Sequence, residues 1–156
     1  MPSEMVTRAE FSAFIVRSFA LAPLPYTGRF SDVEQWEWYS GIIETVTKYD
    51  IARGTGGGKF SPQTPITREQ MAVMIMRAYE KTGSPVGEGY SVGFEDAGEV
   101  SGWASESVKN AAGLGIILGS GDGKFWPQRN ATRAEVVTVI KRMITVMLEK
   151  YGEIGL

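Results

Sequence analysis

Three segments of the chain place apolar side chains on one face of a helix. In each segment the apolar residues recur three and four positions apart, as a helix of 3.6 residues per turn requires. The stripes consist of Phe11, Phe14, Ile15 and Phe19; of Met71, Met74, Ile75 and Ala78; and of Val136, Val139, Ile140, Met143, Ile144 and Met147. The pattern predicts three amphipathic helices, of which the third is the longest.

Each of these helices is predicted to begin with a capping box. A threonine N-cap is followed three positions later by Glu or Gln. The hydroxyl can accept a hydrogen bond from the N3 amide, while the N3 side chain accepts one from the N-cap amide. The pairs are Thr7 with Glu10, Thr67 with Gln70, and Thr132 with Glu135. Such a cap stabilises its helix by about 1 kcal/mol.

Two shorter stripes predict two further helices. They consist of Tyr39, Ile42, Ile43 and Val46, and of Ala104, Val108, Ala111 and Ala112. The helices are expected to stop at Asp50 and Gly115, because both residue types tolerate the left-handed backbone conformation at a helix end. Alternating strand patterns are scarce, so the predicted fold class is all-α, built from helix–loop–helix units.

The same motifs recur along the chain at offsets of 60 and 65 residues. The recurring features are a Thr-Arg pair at 7–8, 67–68 and 132–133, a proline at Pro2, Pro62 and Pro127, Trp38 and Trp103, and glycine-rich segments 54–59 and 119–124. A Phe-x-Asp motif ending at Asp32 recurs at Asp96, at an offset of 64. We therefore predict one structural domain of repeats. It consists of the second half of repeat 1 (1–22), a linker (23–29), repeat 2 (30–82), a linker (83–93) and repeat 3 (94–151).

The composition excludes several kinds of chemistry. The 156 residues include no histidine and no cysteine. This removes Ser-His-Asp and Cys-His hydrolases, His/Cys zinc sites and disulfide frameworks. The net charge of −2 argues against a nucleic-acid partner bound by bulk positive charge. The apolar runs are far shorter than the ~20 residues of a membrane span, and the first residues show no secretion signal. We expect no catalytic residue, no metal and no cofactor.

The remaining motifs have structural interpretations. The glycine-rich segments fail as phosphate loops, since Phe60 and Phe125 follow the lysine where Ser or Thr is needed. We interpret Asp32 and Asp96 as helix caps rather than as paired catalytic carboxylates.

The four tryptophans fall into two classes. Trp38 and Trp103 recur at equivalent positions, so we predict that they pack in the core. Trp36 and Trp126 have no counterpart in the other repeats. They are our candidates for stacking on a sugar ring.

Three arginines suggest a ligand. Arg8, Arg68 and Arg133 each occupy the first helical position, where a cation opposes the helix dipole. Beside each, free N-terminal amides would favour an anion, and the guanidinium fork suits a carboxylate. The residues predict up to three sites for a small acidic group. The alternative, that each arginine pairs with a neighbouring acid such as Asp32 or Asp96, stays open from spacing alone.

The complete unit resembles the S-layer homology domain of bacterial surface proteins. The resemblance rests on Phe-x-Asp, Trp, the glycine-rich turn, Phe-x-Pro and Thr-Arg-x-Glu/Gln, and it covers nearly the whole chain. It implies a three-pronged spindle with pseudo-threefold symmetry around a central helical bundle, here with one incomplete prong. It also implies noncovalent anchoring of an exported protein to the cell wall, with no enzymatic activity of its own.

The resemblance further implies a ligand and its site. The ligand would be an acidic secondary cell-wall polysaccharide carrying pyruvate ketals, bound by Arg8, Arg68 and Arg133 in grooves between units. The sequence departs from the family pattern at Glu69-Gln70 and at Ala131, where the smaller side chain should weaken packing around the third cap. Because repeat 1 is truncated, we expect the more complete sites at Arg68 and Arg133.

Two further readings of the sequence stay open, the second of which follows from the truncation. The chain could be a self-assembling structural module that binds no glycan. A homodimer formed by domain swapping could also complete repeat 1.

Overall fold

The computed structural model describes residues 4–84, 86–91 and 93–153, and within these ranges it contains helices but no strand. The α-helices are α1 (Arg8–Ser18), α2 (Ser40–Lys48), α3 (Arg68–Lys81), α4 (Gly102–Gly113) and α5 (Arg133–Glu153). A short 3-10 helix covers Ala97–Glu99. The all-α prediction is confirmed. Pro2, used above to identify the repeat, lies outside the described residues, as do Pro85 and Val92 of the second predicted linker.

The three predicted capping boxes are all present. The hydroxyl of Thr7 accepts from the Glu10 amide at 3.1 Å, and the Glu10 carboxylate accepts from the Thr7 amide at 2.8 Å. Thr67 with Gln70 and Thr132 with Glu135 repeat this exchange. The predicted stop signals are also confirmed, because Asp50 and Gly115 adopt positive φ just beyond α2 and α4.

The residues just before the three caps close a ring of backbone hydrogen bonds. The Val6 amide donates to the Ala131 carbonyl, the Ala131 amide to the Ile66 carbonyl, and the Ile66 amide to the Val6 carbonyl, over 2.8–3.2 Å. All three residues are fully buried. The starts of α1, α3 and α5 therefore meet at one point, while the threefold arrangement of whole units stays a prediction.

The second helix of one unit packs against the first helix of the next. Thus α1 contacts α2, and α3 contacts α4. The longest helix, α5, contacts α3 and α1. One apolar cluster joins the helices, and its largest fully buried side chains include Tyr79, Phe11, Phe60 and Phe125.

The two repeated aspartates hold the glycine-rich turns and do not cap helices, so that interpretation was wrong. The Asp32 carboxylate accepts from the amides of Phe60 and Ser61, each at 2.8 Å. The Asp96 carboxylate accepts from Phe125 and Trp126 in the same way. Spacing three residues before Gln or Glu suggested a local cap, but the actual partners lie about thirty residues further along the chain.

The core prediction for Trp38 and Trp103 was also wrong. Their exposed fractions are 56% and 59%. The turns are anchored instead by Phe60 and Phe125, which are fully buried and contact Phe30 and Phe94 with ring centroids 5.4 and 5.5 Å apart. A side chain that recurs in the repeats can lie on the protein surface, so recurrence alone does not show that the side chain belongs to the core.

The departure at Glu69-Gln70 has a structural explanation. Glu69 is 2% exposed, and its carboxylate accepts from the amide and hydroxyl of Ser101 and from the side-chain amide of Gln128. Ser101 immediately precedes α4. Glu69 therefore ties the start of α3 to the start of α4, while Gln70 retains the capping function.

Replacing Asp96 by Ala should destabilise the protein by about 2–4 kcal/mol, because the two amides at Phe125 and Trp126 would lose a charged acceptor. Urea unfolding followed by circular dichroism measures this loss. Glu99→Ala, an exposed carboxylate on the same turn, is the control. Equal stability of the two variants would contradict the assigned role of Asp96.

Replacing Glu69 by Ala should cost about 2–3 kcal/mol, since it leaves the buried polar partners Ser101 and Gln128 without an acceptor. Glu69→Gln, which keeps one acceptor oxygen, should recover part of the loss. The unfolding midpoint in urea tests both variants. An unfolding midpoint of Glu69→Ala equal to that of the wild-type protein would show that the Glu69 carboxylate does not stabilise the fold.

Candidate binding grooves between the repeats

Two open grooves lie where consecutive units meet. Groove 1 has a volume of about 390 Å³ and lies between the start of α1, the glycine-rich turn of repeat 2, α3 and the side chain of Trp103. Its lining residues are Arg8, Ala52, Arg53, Gly54, Thr55, Gln70, Val73, Met74, Arg77 and Trp103.

Groove 2 is the same site one repeat later. Its volume is about 270 Å³, and it is lined by Arg68, Ile117, Leu118, Gly119, Ser120, Ala134, Glu135, Thr138, Val139 and Arg142. Nine residues of groove 1 have their counterpart here, at the offsets of 60 or 65 that define the repeat. The tenth, Trp103, has no counterpart in groove 2, and Ala134 has none in groove 1.

Arg8 links the start of α1 to the turn of repeat 2. Its Nε donates to the carbonyl of Phe60 at 3.0 Å, and its Nη2 donates to the carbonyl of Arg53 at 2.9 Å. The guanidinium carbon lies 4.8 Å from the centre of the Phe60 ring. Only 5% of Arg8 is exposed, and burial lowers its pKa from the ordinary arginine value, partly offset by the charge of Asp32.

Arg68 repeats this arrangement in the next unit. Its Nε donates to Phe125 at 2.7 Å and its Nη2 to Leu118 at 3.3 Å, and the guanidinium lies over the Phe125 ring at 5.0 Å. Burial again lowers the arginine pKa, and the charge of Glu135 opposes that shift. Two of the three nitrogens of each guanidinium are thus used to hold the neighbouring turn.

The remaining guanidinium nitrogen, Nη1, has a hydrogen-bond partner in groove 2 but none in groove 1 within the described part of the chain. In groove 2, Nη1 of Arg68 donates to Oε1 of Glu135 at 2.8 Å, and Glu135 also pairs with Arg129. In groove 1, Nη1 of Arg8 has no hydrogen-bond partner among the described residues. The position equivalent to Glu135 is the neutral Gln70, which lines the groove without pairing with Arg8.

The helix N-terminal amides are not available for a ligand, so that part of the prediction was wrong. The amides of Arg8, Arg68 and Arg133 donate to the carbonyls of Thr64, Arg129 and Glu4, at 2.8–2.9 Å. The following amides of Ala9 and Glu69 donate to Pro62 and Pro127. The first turns of α1 and α3 are satisfied by backbone from the next unit, which leaves side chains as the donors that face the grooves.

The alternative that each arginine pairs with a neighbouring acid holds in part. Arg68 pairs with Glu135, and Arg133 lies 3.9 Å from Glu4, whereas the side-chain hydrogen bonds of Arg8 go to backbone carbonyls. Neither Arg8 nor Arg68 hydrogen-bonds to Asp32 or Asp96.

The sequence analysis overlooked a second repeated arginine. Arg77 of groove 1 and Arg142 of groove 2 occupy equivalent helix positions, and Arg17 is the counterpart in α1. Arg77 is half-buried, and burial followed by the charge of Arg53 lowers its pKa. The signal was present as the same offsets of 60 and 65, but outside the short Thr-Arg motif.

Three guanidinium groups line groove 1, those of Arg8, Arg53 and Arg77. Asp50 binds Arg53 through both carboxylate oxygens at 2.8 and 2.9 Å. The charges of Asp32 and Glu80 act on Arg8 and Arg77. A planar anion with an apolar body fits such a groove, since guanidinium groups bind carboxylates and an indole contacts apolar faces.

The remaining predicted residues lie outside both grooves. The side chain of Arg133 is 43% exposed, 3.9 Å from Glu4 and 5.8 Å from the ring centre of Phe14. Trp36 is 79% exposed. Trp126 is 38% exposed, but its N–H donates to Asp122 and Lys124 covers its ring at 4.8 Å. The geometry thus favours Arg8 and Arg68 as groove residues over the expected pair Arg68 and Arg133.

Within the part of the chain that the structure describes, no group of acidic residues is placed to hold a metal ion, and no helix is long and apolar enough to cross a membrane.

Comparison with known proteins identifies the family. The profile of the S-layer homology domain matches residues 29–72 and 93–137, which together exceed half of the chain. The chain is 41% identical over 154 residues to an amylopullulanase of Thermoanaerobacterium thermosulfurigenes, covering 98% of this chain and 8% of that protein. It is 32% identical over 143 residues to the S-layer protein sap of Bacillus anthracis, covering 90% and 17%.

A third relative is the cellulosome-anchoring protein of Acetivibrio thermocellus, 29% identical over 148 residues, with 92% of this chain and 33% of that protein covered. The chain spans at most a third of the length of these three relatives. The names of the second and third relatives place the shared region in an S-layer protein and an anchoring protein, which supports cell-wall anchoring in general. The recurring turn, the paired grooves and the profile match together show that this chain belongs to the S-layer homology domain family.

Proposed function

We propose that this chain anchors an attached protein to the outside of a bacterial cell wall by binding an acidic secondary cell-wall polysaccharide that carries pyruvate ketals. The observation that carries the proposal is groove 1, where three guanidinium groups and one indole line a single cavity. The chain itself is the anchor and not an enzyme; any catalytic activity would belong to other parts of the protein.

The chemistry of groove 1 matches such a ligand. The two oxygens of a ketal carboxylate can accept hydrogen bonds from the free Nη1 of Arg8 and from the guanidinium of Arg77, because the planar carboxylate matches the planar guanidinium. The exposed indole of Trp103 offers an apolar surface for one face of the sugar ring. A volume of about 390 Å³ lies in the range of small-ligand sites and suits one or two sugar units of a longer chain.

Arg77 and Trp103 are the residues that test this proposal most directly, because neither holds the fold as Arg8 does. Arg77→Ala and Trp103→Ala should each weaken cosedimentation with cell-wall sacculi by about tenfold or more, the effect of losing one charged contact or one aromatic contact. Arg17→Ala is the matched control, since Arg17 occupies the same helix position in α1 but lines neither groove.

Sacculi stripped chemically of their secondary polysaccharide separate glycan binding from adhesion to peptidoglycan. We expect the wild-type protein to sediment with intact sacculi and to remain in solution with stripped ones. Equal binding to both preparations, or full binding by Arg77→Ala, would contradict the proposal.

One observation favours a second function, self-association. Helix α5 exposes Val137 and Ile144 by 51% and 38%, whereas the equivalent α3 residues Ala72 and Tyr79 are fully buried. In α1 and α3 this region is covered by the first helix of the next unit. A second copy of this chain, joined by domain swapping, would cover the same face of α5 and bury its apolar side chains.

The double change Val137→Lys and Ile144→Lys should convert such a dimer to a monomer of 17.1 kDa, because it places two charges in the covered face. Sedimentation velocity measures the mass directly. Trp36→Lys removes an exposed apolar side chain away from α5 and should leave the dimer intact. A wild-type chain that is monomeric at its highest soluble concentration excludes self-association.

A further inference from the structure

One acidic residue outside both grooves, Asp50, pairs with an arginine that lines groove 1. We propose that Asp50 is a positioning residue, which holds the guanidinium of Arg53 at the rim of groove 1 so that Arg53 binds the acidic ligand together with Arg8 and Arg77. The inference rests on the proposed function and adds to it one ligand contact and the residue that orients this contact.

The pair of Asp50 and Arg53 fixes the plane of the guanidinium group. Oδ1 of Asp50 accepts from Nε of Arg53 at 2.8 Å, and Oδ2 accepts from Nη2 at 2.9 Å. Such a two-point contact defines an orientation as well as a distance. Nη1 of Arg53 has no hydrogen-bond partner in the ranges that the structure describes, so it is the nitrogen that remains for a ligand.

The backbone that carries Arg53 is already held in place. Its carbonyl accepts from Nη2 of Arg8 at 2.9 Å. The preceding amides of Ile51 and Ala52 both donate to the carbonyl of Val46, at 2.8 and 3.1 Å. The side chain of Arg53 is therefore the part of this segment that needs a further restraint, and Asp50 supplies it.

The charges around groove 1 show what this restraint opposes. Burial is the main cause that lowers the pKa of Arg77, and the nearby positive charge of Arg53 lowers it further, whereas the charge of Asp50 raises it. The two guanidinium groups thus repel each other, and Asp50 attracts both. Without Asp50, repulsion from Arg77 would favour conformations of Arg53 that point away from the groove.

The glycine-rich turn forms without this pair. In the next repeat the equivalent residues are Gly115 and Leu118, yet the Leu118 carbonyl still accepts from Arg68, and Arg142 still lines groove 2. The side chains of Arg53 and Asp50 are 63% and 50% exposed. Exposed ion pairs contribute little to stability. The pair is therefore not required for folding, which leaves the orientation of Arg53 as its effect.

Asp50→Asn is the variant that tests this role. Asn keeps the size of the side chain and tolerates the positive φ of 55° at this position, so the end of α2 should be preserved. Removing a negative charge beside an anion site would by itself strengthen anion binding. A positioning role predicts the opposite result, because Arg53 loses its orientation.

Glu80→Gln is the matched control. Glu80 is an exposed acid whose charge also acts on Arg77, but the carboxylate that binds Arg53 is that of Asp50. This variant removes the same charge from the surroundings of groove 1 without releasing Arg53, and it should not weaken binding.

The probe is a methyl hexopyranoside that carries a 4,6-linked pyruvate ketal, titrated into the whole chain by calorimetry. Arg53→Ala should weaken binding by about tenfold and Asp50→Asn by about three- to tenfold. The double variant should bind no more weakly than Arg53→Ala alone, because Asp50 acts through Arg53.

Two further measurements separate positioning from a loss of structure. The NMR signal of the Arg53 Nε–H group should exchange slowly with solvent in the wild-type protein and rapidly in Asp50→Asn. The urea unfolding midpoint of Asp50→Asn should equal that of the wild-type protein.

Binding by Asp50→Asn that equals or exceeds wild-type binding would overturn the inference, as would a further loss when Asp50→Asn is added to Arg53→Ala. Sedimentation with intact sacculi distinguishes this failure from failure of the proposed function. If the wild-type protein sediments and Asp50→Asn sediments equally well, the inference fails and the proposed function stands. If the wild-type protein neither sediments nor binds the ketal, both fail.

Discussion

The structure depends on one contact, in which the buried guanidinium of a Thr-Arg motif binds carbonyls of the next repeat. Arg8 holds Arg53 and Phe60, and Arg68 holds Leu118 and Phe125. The glycine-rich turn has its own amides satisfied by an aspartate, and these carbonyls need donors because they lie next to buried phenylalanines. The arginine supplies them and so fixes the distance between one helix start and the following turn. Each groove is the open space between a helix start and the glycine-rich turn that its arginine holds.

Most of the fold could be predicted from local patterns. The five helices, the three capping boxes and the stop residues Asp50 and Gly115 follow from interactions within a few residues, where spacing defines geometry. Asp32, Asp96, Trp38 and Trp103 were misinterpreted because their environments depend on residues far along the chain. A carboxylate three residues before Gln or Glu has the same spacing whether it caps a helix or reaches a distant turn.

The candidate site was predicted in part. Arg8 and Arg68 do line grooves between units, but the expected anion site at their helix amides is filled by backbone carbonyls. Arg77 and Arg142 recur at the same offsets and could have been found by comparing every position of the repeats instead of the motif alone. The sequence shows Gln70 where the next repeat has Glu135. The structure was needed to show that Glu135 pairs with the guanidinium of Arg68, which lies 67 residues earlier in the chain.

The ring formed by Val6, Ile66 and Ala131 has a mechanical consequence for an anchoring module. Each of the three segments both donates to one neighbour and accepts from the other. Pulling any one segment away therefore breaks two hydrogen bonds at once, whichever segment carries the load. Because the bonds are between backbone atoms, tension is shared by the starts of α1, α3 and α5 without depending on the side chains at these positions.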